Sequence, residues 1–177
     1  KSAEGSDKND IGYMLGHLYY TDYQNDKAFT YFDEIKDNEK YARVVKPYYV
    51  QLYFNDKDYD KAIVEGNSLL NENISADYKA EVHKMIGESY FMKGDYDSAY
   101  PHLKIYLDSK ANPSESDLYE MGFVSEKMKK YDEAVSYYNQ LLNSNSATSQ
   151  NAYYQLGNAY LEVGKKQEAL SAFRSAY

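Results

Sequence analysis

The amino-acid sequence predicts an all-α fold, an α-solenoid of about five helix-turn-helix pairs. The first observation is a series of alanines at spacings of 34, 37, 35 and 35 residues: Ala28, Ala62, Ala99, Ala134 and Ala169. The second is a series of mostly small residues twelve positions earlier: Gly16, Val50, Gly87, Gly122 and Gly157. The third is the helical spacing of apolar residues around both series. A period in this range is typical of a repeat array.

Each repeat is predicted to contain two helices joined by a short polar turn. Leu15, Leu18 and Tyr19 lie at i, i+3 and i+4, on one side of a first helix. Ala28 and Phe32 lie at i and i+4 on the second helix. The small residues are expected where the two helices of a repeat cross, because only small side chains let two backbones approach closely.

Polar residues before the helical segments predict where several helices begin. Ser75, Asp95 and Ser146 are predicted N-caps, since their side chains can accept hydrogen bonds from the first turn. In the fourth repeat, Asn112 is predicted to cap the first helix, with Pro113 at its first position.

Two prolines fall inside predicted helices. Pro47 lies in the first helix of the second repeat, and Pro101 lies early in the second helix of the third repeat. Proline beyond the first turn removes a backbone hydrogen bond. We therefore expect a kink or a delayed helix start at each proline.

The repeat series also predicts the domain organisation. Residues 1–8 are expected to form an N-terminal tail and residues 9–177 a single array. The repeats are predicted at about residues 9–42, 43–79, 80–114, 115–149 and 150–177. No polar capping helix follows the fifth repeat, although terminal repeats normally need one. Either the parent protein continues, or the apolar end formed by Leu170, Phe173 and Tyr177 mediates self-association.

The composition narrows the class of protein. The formal net charge of −8 argues against nucleic-acid binding, which needs clustered Lys and Arg, and favours a basic or neutral partner. The absence of cysteine excludes disulfides, thiolate metal sites and cysteine nucleophiles. No apolar run approaches the roughly 18 residues that a transmembrane helix needs. The chain is therefore not predicted to span a membrane.

The pattern resembles the tetratricopeptide repeat family, which has small residues at fixed positions of both helices and large residues around them. The fifth repeat matches best, through Tyr153, Leu156, Gly157, Tyr160, Ala169, Phe173 and Ala176. The second repeat departs most, with Val50 in place of the first small residue and Gly66 in place of a large one. The resemblance covers about residues 9–177, nearly the whole chain.

The resemblance implies a right-handed superhelix whose first helices line a concave groove. Carried over position by position, the partner-binding candidates are Tyr13, His17, Tyr20, Gln51, Phe54, Asn55, Lys84, Glu88, Phe91, Tyr119, Phe123, Glu126, Tyr154, Asn158 and Leu161. Some members of the family clamp a C-terminal carboxylate with a Lys and an Asn in one first helix. No repeat of this chain carries that pair, which disfavours such a clamp.

The sequence predicts no catalytic residue, cofactor or metal site, and therefore no enzyme. His17, His83 and His102 lack a second ligand at helical spacing. The acidic residues from Asp56 to Asp60 alternate as in a calcium loop, but Lys61 stands where that loop needs glycine. The same segment is explained by the turn and helix start of the second repeat.

The predicted function is a non-catalytic scaffold for protein–protein interaction, which binds a peptide or partner helix in the groove. One alternative is a structural segment of a longer repeat protein whose groove is filled in cis. Another is a regulatory domain fused to an enzyme. The Tyr-, Asn-, Lys- and Asp-rich repeats are similar to those of bacterial envelope proteins, and this resemblance implies a periplasmic or envelope location rather than the cytoplasm.

Overall fold

The structure is a computed structural model that describes residues 3–142 and 146–177. Within these two ranges it contains ten α-helices and no β-strand. In chain order they are α1 (Ala3–Thr21), α2 (Asn25–Ile35), α3 (Ala42–Asn55), α4 (Tyr59–Leu70), α5 (Ala76–Met92), α6 (Tyr96–Asp108), α7 (Glu115–Lys127), α8 (Tyr131–Asn139), α9 (Ala147–Glu162) and α10 (Lys166–Ala176).

The helices form two compact units, residues 1–93 with α1–α5 and residues 94–177 with α6–α10. In the first unit each helix packs on the next, and α3 also contacts both α1 and α5. In the second unit each helix again packs on the next, and α7 contacts α9. Each unit thus contains two complete helix pairs and one helix of the third repeat, and first helices of neighbouring repeats are in contact within it.

The turn after each first helix has the same backbone conformation. One residue per turn has a positive φ, and these residues follow the spacing of the alanine series: Tyr23 (57°), Lys57 (62°), Gly94 (76°), Lys129 (60°) and Gly164 (78°). The N–H of the next residue donates to a carbonyl five residues earlier, at 2.9 Å from Gln24 to Tyr19 and at 2.8 Å from Lys165 to Tyr160. This is the Schellman arrangement, which satisfies free carbonyls at a helix end.

Glycines in the first helices allow large rings of the second helices to pack against the backbone. A Cβ atom placed on Gly122 would lie 2.6 Å from the ring of Tyr138, and one on Gly157 would lie 2.5 Å from that of Phe173. Gly16 has the same relation to Phe32, at 2.5 Å. The predicted close crossing within these repeats is therefore present.

The second repeat reverses this arrangement. Its first helix carries Val50, which is fully buried, where the other repeats carry glycine. Its second helix carries Gly66 in place of a large residue, and a Cβ atom there would lie 2.6 Å from Cγ1 of Ile86 in α5. The side-chain volume that Val50 adds to the first helix is offset by the volume that Gly66 removes from the second helix. The interior of the second repeat therefore remains densely packed, although both residues differ from the family pattern.

The helix starts confirm three predicted N-caps and correct a fourth. The side chains of Ser75, Asp95 and Ser146 each accept a hydrogen bond from the backbone N–H three residues later. The prediction for Asn112 is wrong, because Ser114 caps α7. Ser114 and Asp117 accept hydrogen bonds from each other's backbone N–H, and this capping box fixes the start of the helix.

Two further expectations are corrected at the level of local structure. The backbone is helical from Ala3, so most of the segment expected to be an N-terminal tail belongs to α1. At Pro47, where a kink or a delayed start was expected, the start is not delayed, because α3 begins at Ala42 and continues past the proline. Val45 and Tyr49 on either side of Pro47 are buried, and this packing holds the helix across the missing N–H.

Candidate functional site

The predicted groove residues lie on the first helices of the repeats in both units. The first-unit face comprises those on α1, α3 and α5: Tyr13, His17, Tyr20, Gln51, Phe54, Asn55, Lys84, Glu88 and Phe91. The second-unit face comprises those on α7 and α9: Tyr119, Phe123, Glu126, Tyr154, Asn158 and Leu161.

Tyr48 of α3 is the centre of an aromatic cluster on the first-unit face. Its hydroxyl lies 3.2 Å from that of Tyr13. The ring of Tyr20 meets it edge-on at 4.9 Å between centroids, and the ring of His17 does so at 5.8 Å. The structure therefore brings together all three residues that were predicted on α1, around a residue of α3 that was not predicted.

The aromatic cluster is anchored in the core beneath it. The ring of Tyr48 stacks on that of Phe32 at 4.8 Å, and Phe32 is fully buried. Sequence reasoning missed Tyr48 because the family positions fall on Pro47 and Gln51 instead. Helical spacing is the signal that could have found it, since Tyr48, Gln51 and Asn55 lie at i, i+3 and i+7.

Two hydroxyls of this cluster, those of Tyr48 and Tyr20, have a raised pKa. Burial raises the pKa of Tyr48, and its hydrogen bond with Tyr13 raises it further. Burial also raises the pKa of Tyr20, with a smaller contribution from Tyr23. In α5, burial and the nearby Tyr20 raise the pKa of Tyr78 to about 12. These side chains thus offer neutral hydroxyls, able to donate and accept, beside aromatic rings.

Five other residues of the first-unit face have partners in their own helix or the next. Gln51 donates a hydrogen bond to Asn55 through Nε2 and Oδ1, at 2.9 Å. The ring of Phe54 meets that of Tyr59 edge-on at 5.6 Å. On α5, Lys84 and Glu88 form an ion pair at 3.7 Å, and Phe91 is half-buried.

A pocket of about 390 Å³ opens on the second-unit face. Its lining consists of Glu126, Lys127, Lys129, Tyr131, Asn158, Leu161 and Glu162. Glu126, Asn158 and Leu161 were predicted, and the structure brings them together from α7 and α9. Tyr131 and Glu162 were missed, because their repeat positions are not groove positions in the family pattern.

Two carboxylates of like charge, those of Glu126 and Glu162, line this pocket. Tyr138 donates a hydrogen bond to Oε2 of Glu126, at 3.2 Å. Burial raises the pKa of Glu126 and the charge of Glu162 adds to the increase, while the hydrogen bond from Tyr138 and the charge of Lys127 oppose it. Burial and then the nearby charge of Glu162 raise the pKa of Tyr131. The pocket is polar at one side and apolar at Leu161.

The remaining residues of the second-unit face are partly aromatic and differ in exposure. Tyr119 packs against Tyr138 at 5.9 Å, and Phe123 meets Tyr96 edge-on at 6.0 Å. On α9, Tyr154 and Leu161 are 55% and 49% exposed and lie at i and i+7. Between them, the side-chain amide of Asn158 donates to Gln155 at 3.3 Å. The result is an accessible apolar strip with an amide at its centre.

The described part of the chain lacks two kinds of feature. Across residues 3–142 and 146–177, no group of three or more His, Asp or Glu side chains could hold a metal ion. None of the helices that the structure describes combines the length and apolar character needed to cross a bilayer.

Comparison with known families identifies the repeats. The sequence model of the tetratricopeptide repeat matches residues 118–147 and 150–177. The chain contains tetratricopeptide repeats (TPRs). The two matches fall on α7–α8 and α9–α10, the helix pairs in which Gly122 and Gly157 accommodate the rings of the second helices.

Solved TPR structures share the fold at low sequence identity. A structure of MamA AMB-1 has a TM-score of 0.81 and 17% identity, over 97% of this chain and 91% of that one. A crystal structure of MamA has a TM-score of 0.76 and 18% identity, over 97% and 91%. YrrB, described as a TPR protein with an unusual peptide-binding site, has a TM-score of 0.77 and 16% identity, over 91% and 80%.

These comparisons define the class of the protein. Among curated protein sequences, none is significantly similar to the chain. The family match and the shared fold confirm the predicted all-α TPR solenoid. They also support a scaffold for protein–protein interaction, the typical role of such arrays.

Proposed function

We propose that this TPR protein is a non-catalytic scaffold that binds a peptide or a partner helix across the first helices of its repeats. The observation that carries the proposal is the aromatic cluster around Tyr48. There, half-buried rings of α1 and α3 support one another and present hydroxyls at their edges.

Such a cluster suits a peptide for physical reasons. The rings of Tyr20 and Tyr48 offer apolar area, while the hydroxyls can bond to the peptide backbone. Because Tyr48 is fixed by Phe32, it loses little conformational freedom when a partner binds. A preorganised aromatic surface therefore contributes more net affinity than the same rings on a mobile loop.

The second-unit face supports the same function with a different chemistry. The strip of Tyr154 and Leu161 is accessible, and the pocket beside it contains Glu126 and Glu162. The net charge of −8 favours neutral or basic partners over nucleic acid. Similarity to YrrB, a protein described as having a peptide-binding site, agrees with a peptide ligand.

Peptide selection followed by affinity measurement tests the proposal. Peptides are selected from a random displayed library on the purified chain, and their Kd values are measured by fluorescence polarisation. Tyr20→Ser tests the first-unit face and Tyr154→Ser tests the second. Val64→Ser is the matched control, because Val64 is 65% exposed but lies on α4, a second helix.

We expect selected peptides to lose about tenfold or more in affinity, about 1.4 kcal/mol, with Tyr20→Ser or Tyr154→Ser. The Val64→Ser control should leave the Kd unchanged. Failure to select any peptide, or peptides whose affinity responds only to the α4 substitution, would reject binding at the first helices.

A further inference from the structure

The first helix carries an apolar strip that no other part of the described chain covers. Ile11, Met14 and Leu18 lie at i, i+3 and i+7 on α1 and are 56%, 68% and 60% exposed. Side chains at this spacing share one side of a helix. A strip of three large exposed apolar residues is typical of a contact surface rather than of free helix surface.

Two of the three equivalent positions of the next repeat are core positions, and the third, Tyr48, is half-buried. Val45 and Leu52 occur 34 residues after Ile11 and Leu18, and both are fully buried. They belong to one hydrophobic cluster with Ile35 of α2, the second helix of the preceding repeat. The strip on α1 therefore has the form of a repeat-to-repeat contact against which no second helix of the described residues packs.

In the second unit, α10 offers a second helix of the required kind. Leu170 of α10 is 45% exposed. The equivalent residue of the first repeat is Phe29, whose ring lies 5.8 Å from that of Tyr49 and 5.1 Å from that of Tyr53 in the following repeat. In the second repeat the equivalent residue, Ile63, is buried. Leu170 thus occupies a position that contacts the next repeat elsewhere in the array.

The polar groups at the two ends are also complementary. Between the first two repeats, Nδ2 of Asn25 donates to Oδ1 of Asp56 at 2.7 Å. The residue of α10 equivalent to Asn25 is Lys166, and the residue of the first repeat equivalent to Asp56 is Asp22. A repeat-like junction would place these opposite charges together, where they favour association and fix its register.

We propose that the protein associates head to tail, with α10 of one copy packing against α1 of another as α2 packs against α3. The contact is heterologous, so each copy keeps one free end and chains of copies can grow. It uses the exposed strip of α1 and Leu170 of α10, and not the first-unit or second-unit face. Its failure would therefore leave the proposed peptide binding untouched.

Sedimentation velocity over a wide concentration range tests this with two charge insertions. Leu18→Glu disables the α1 end and Leu170→Glu disables the α10 end. Val64→Glu is the matched control, an exposed valine on α4 away from both ends. Circular dichroism establishes that each variant keeps its helices.

We expect the unmodified chain and Val64→Glu to grow in mass with concentration, and each end variant alone to remain a monomer. An equimolar mixture of the two end variants should form a dimer and nothing larger, because it contains only one kind of intact junction. Asp22→Lys should weaken association and its combination with Lys166→Asp should restore it.

Three results would overturn the proposal. The first is a monomeric unmodified chain at every concentration. The second is association that Leu170→Glu abolishes and Leu18→Glu leaves intact, which would indicate a symmetric contact between α10 helices. The third is a mixture of the two end variants that stays monomeric while the control associates.

Discussion

The hydroxyl of Tyr138 donates a 3.2 Å hydrogen bond to Oε2 of Glu126. Tyr138 is fully buried, and its ring packs where Gly122 leaves no side chain. Glu126 lines the pocket of the second-unit face. The repeat core and the candidate binding surface are therefore joined through one pair of residues, and a change in the pocket has consequences for stability.

Glu126→Gln is expected to stabilise the protein at neutral pH. Burial and then Glu162 raise the pKa of Glu126 above its ordinary 4.5, so the folded state favours the protonated carboxyl. The stability from this preference is present below pH 4.5 and is lost as the pH rises through the raised pKa. Glutamine removes the charge and still accepts the hydrogen bond from Tyr138.

Urea unfolding at neutral pH and at a pH below 4.5 measures this effect. The gain from Glu126→Gln should be present at neutral pH and shrink in acid. Glu168→Gln, at an exposed position of α10, serves as the control with little effect at either pH. A loss of stability at neutral pH in Glu126→Gln would contradict the account of the pocket.

Ser125→Ala is expected to raise the free energy of unfolding by about 1 kcal/mol. Ser125 is fully buried, and its Oγ has no hydrogen-bond partner among the atoms of the described residues. Ser89 is the matched control, because it is equally buried but its Oγ donates to the carbonyl of Met85 at 2.7 Å. Ser89→Ala should lower stability by about 0.5–1.5 kcal/mol. Thermal and urea unfolding compare the two, and equal losses would refute the assignment.

The left-handed turn positions predict opposite effects for two substitutions. Lys57 has a φ of 62°, which costs energy for a residue with a Cβ atom, so Lys57→Gly should stabilise by about 0.5–1 kcal/mol. Gly164 has a φ of 78°, so Gly164→Ala should destabilise by about 1–2 kcal/mol. Urea unfolding of both variants checks this, and a reversal of the two signs would show that the turns are not equivalent.

The raised pKa values of buried tyrosines lead us to expect that the folded protein loses stability at alkaline pH. Burial, followed by the bond to Glu133, raises the pKa of Tyr100 to about 12, and burial raises that of Tyr78 to about 12. A raised tyrosine pKa contributes stability that is intact below pH 10.0 and is lost as the pH approaches 12. Helicity and tyrosinate absorbance followed together should show late ionisation coupled to unfolding.

The urea-unfolded chain provides the control for this titration, because its tyrosines have no burial to raise their pKa. It should ionise in a single step near pH 10.0, the ordinary value. Tyr100→Phe should reduce the late phase of the folded chain. A folded chain that ionises completely near pH 10.0 without losing helicity would contradict the buried tyrosine environments.

The residues that set the fold could be recognised from sequence, and those that set the site could be recognised only in part. Ala28 and Gly16 recur at one period because every helix crossing imposes the same steric limit. Tyr48 carries no such signal, since its position in the cluster depends on how α1 and α3 pack. The same holds for Glu162, whose charge matters only because α9 lies beside Glu126.

The sequence also predicts the wrong N-cap where two neighbouring residues could each cap the same helix. Asn112 and Ser114 both precede α7 and both are good N-caps. The sequence favours Asn112 because Pro113 follows it. The structure selects Ser114 because Asp117 lies three residues later and completes the capping box. Reciprocal bonding, rather than the propensity of a single residue, decides this helix start.

The most direct test of the central claim is an amide chemical-shift map of the labelled chain with a selected peptide. We expect the largest changes on first helices, around Tyr20 and Tyr48 or around Glu126 and Leu161, and we expect Tyr20→Ser or Tyr154→Ser to remove them. Changes concentrated on the second helices, around Val64 of α4 or Ser136 of α8, would contradict that claim.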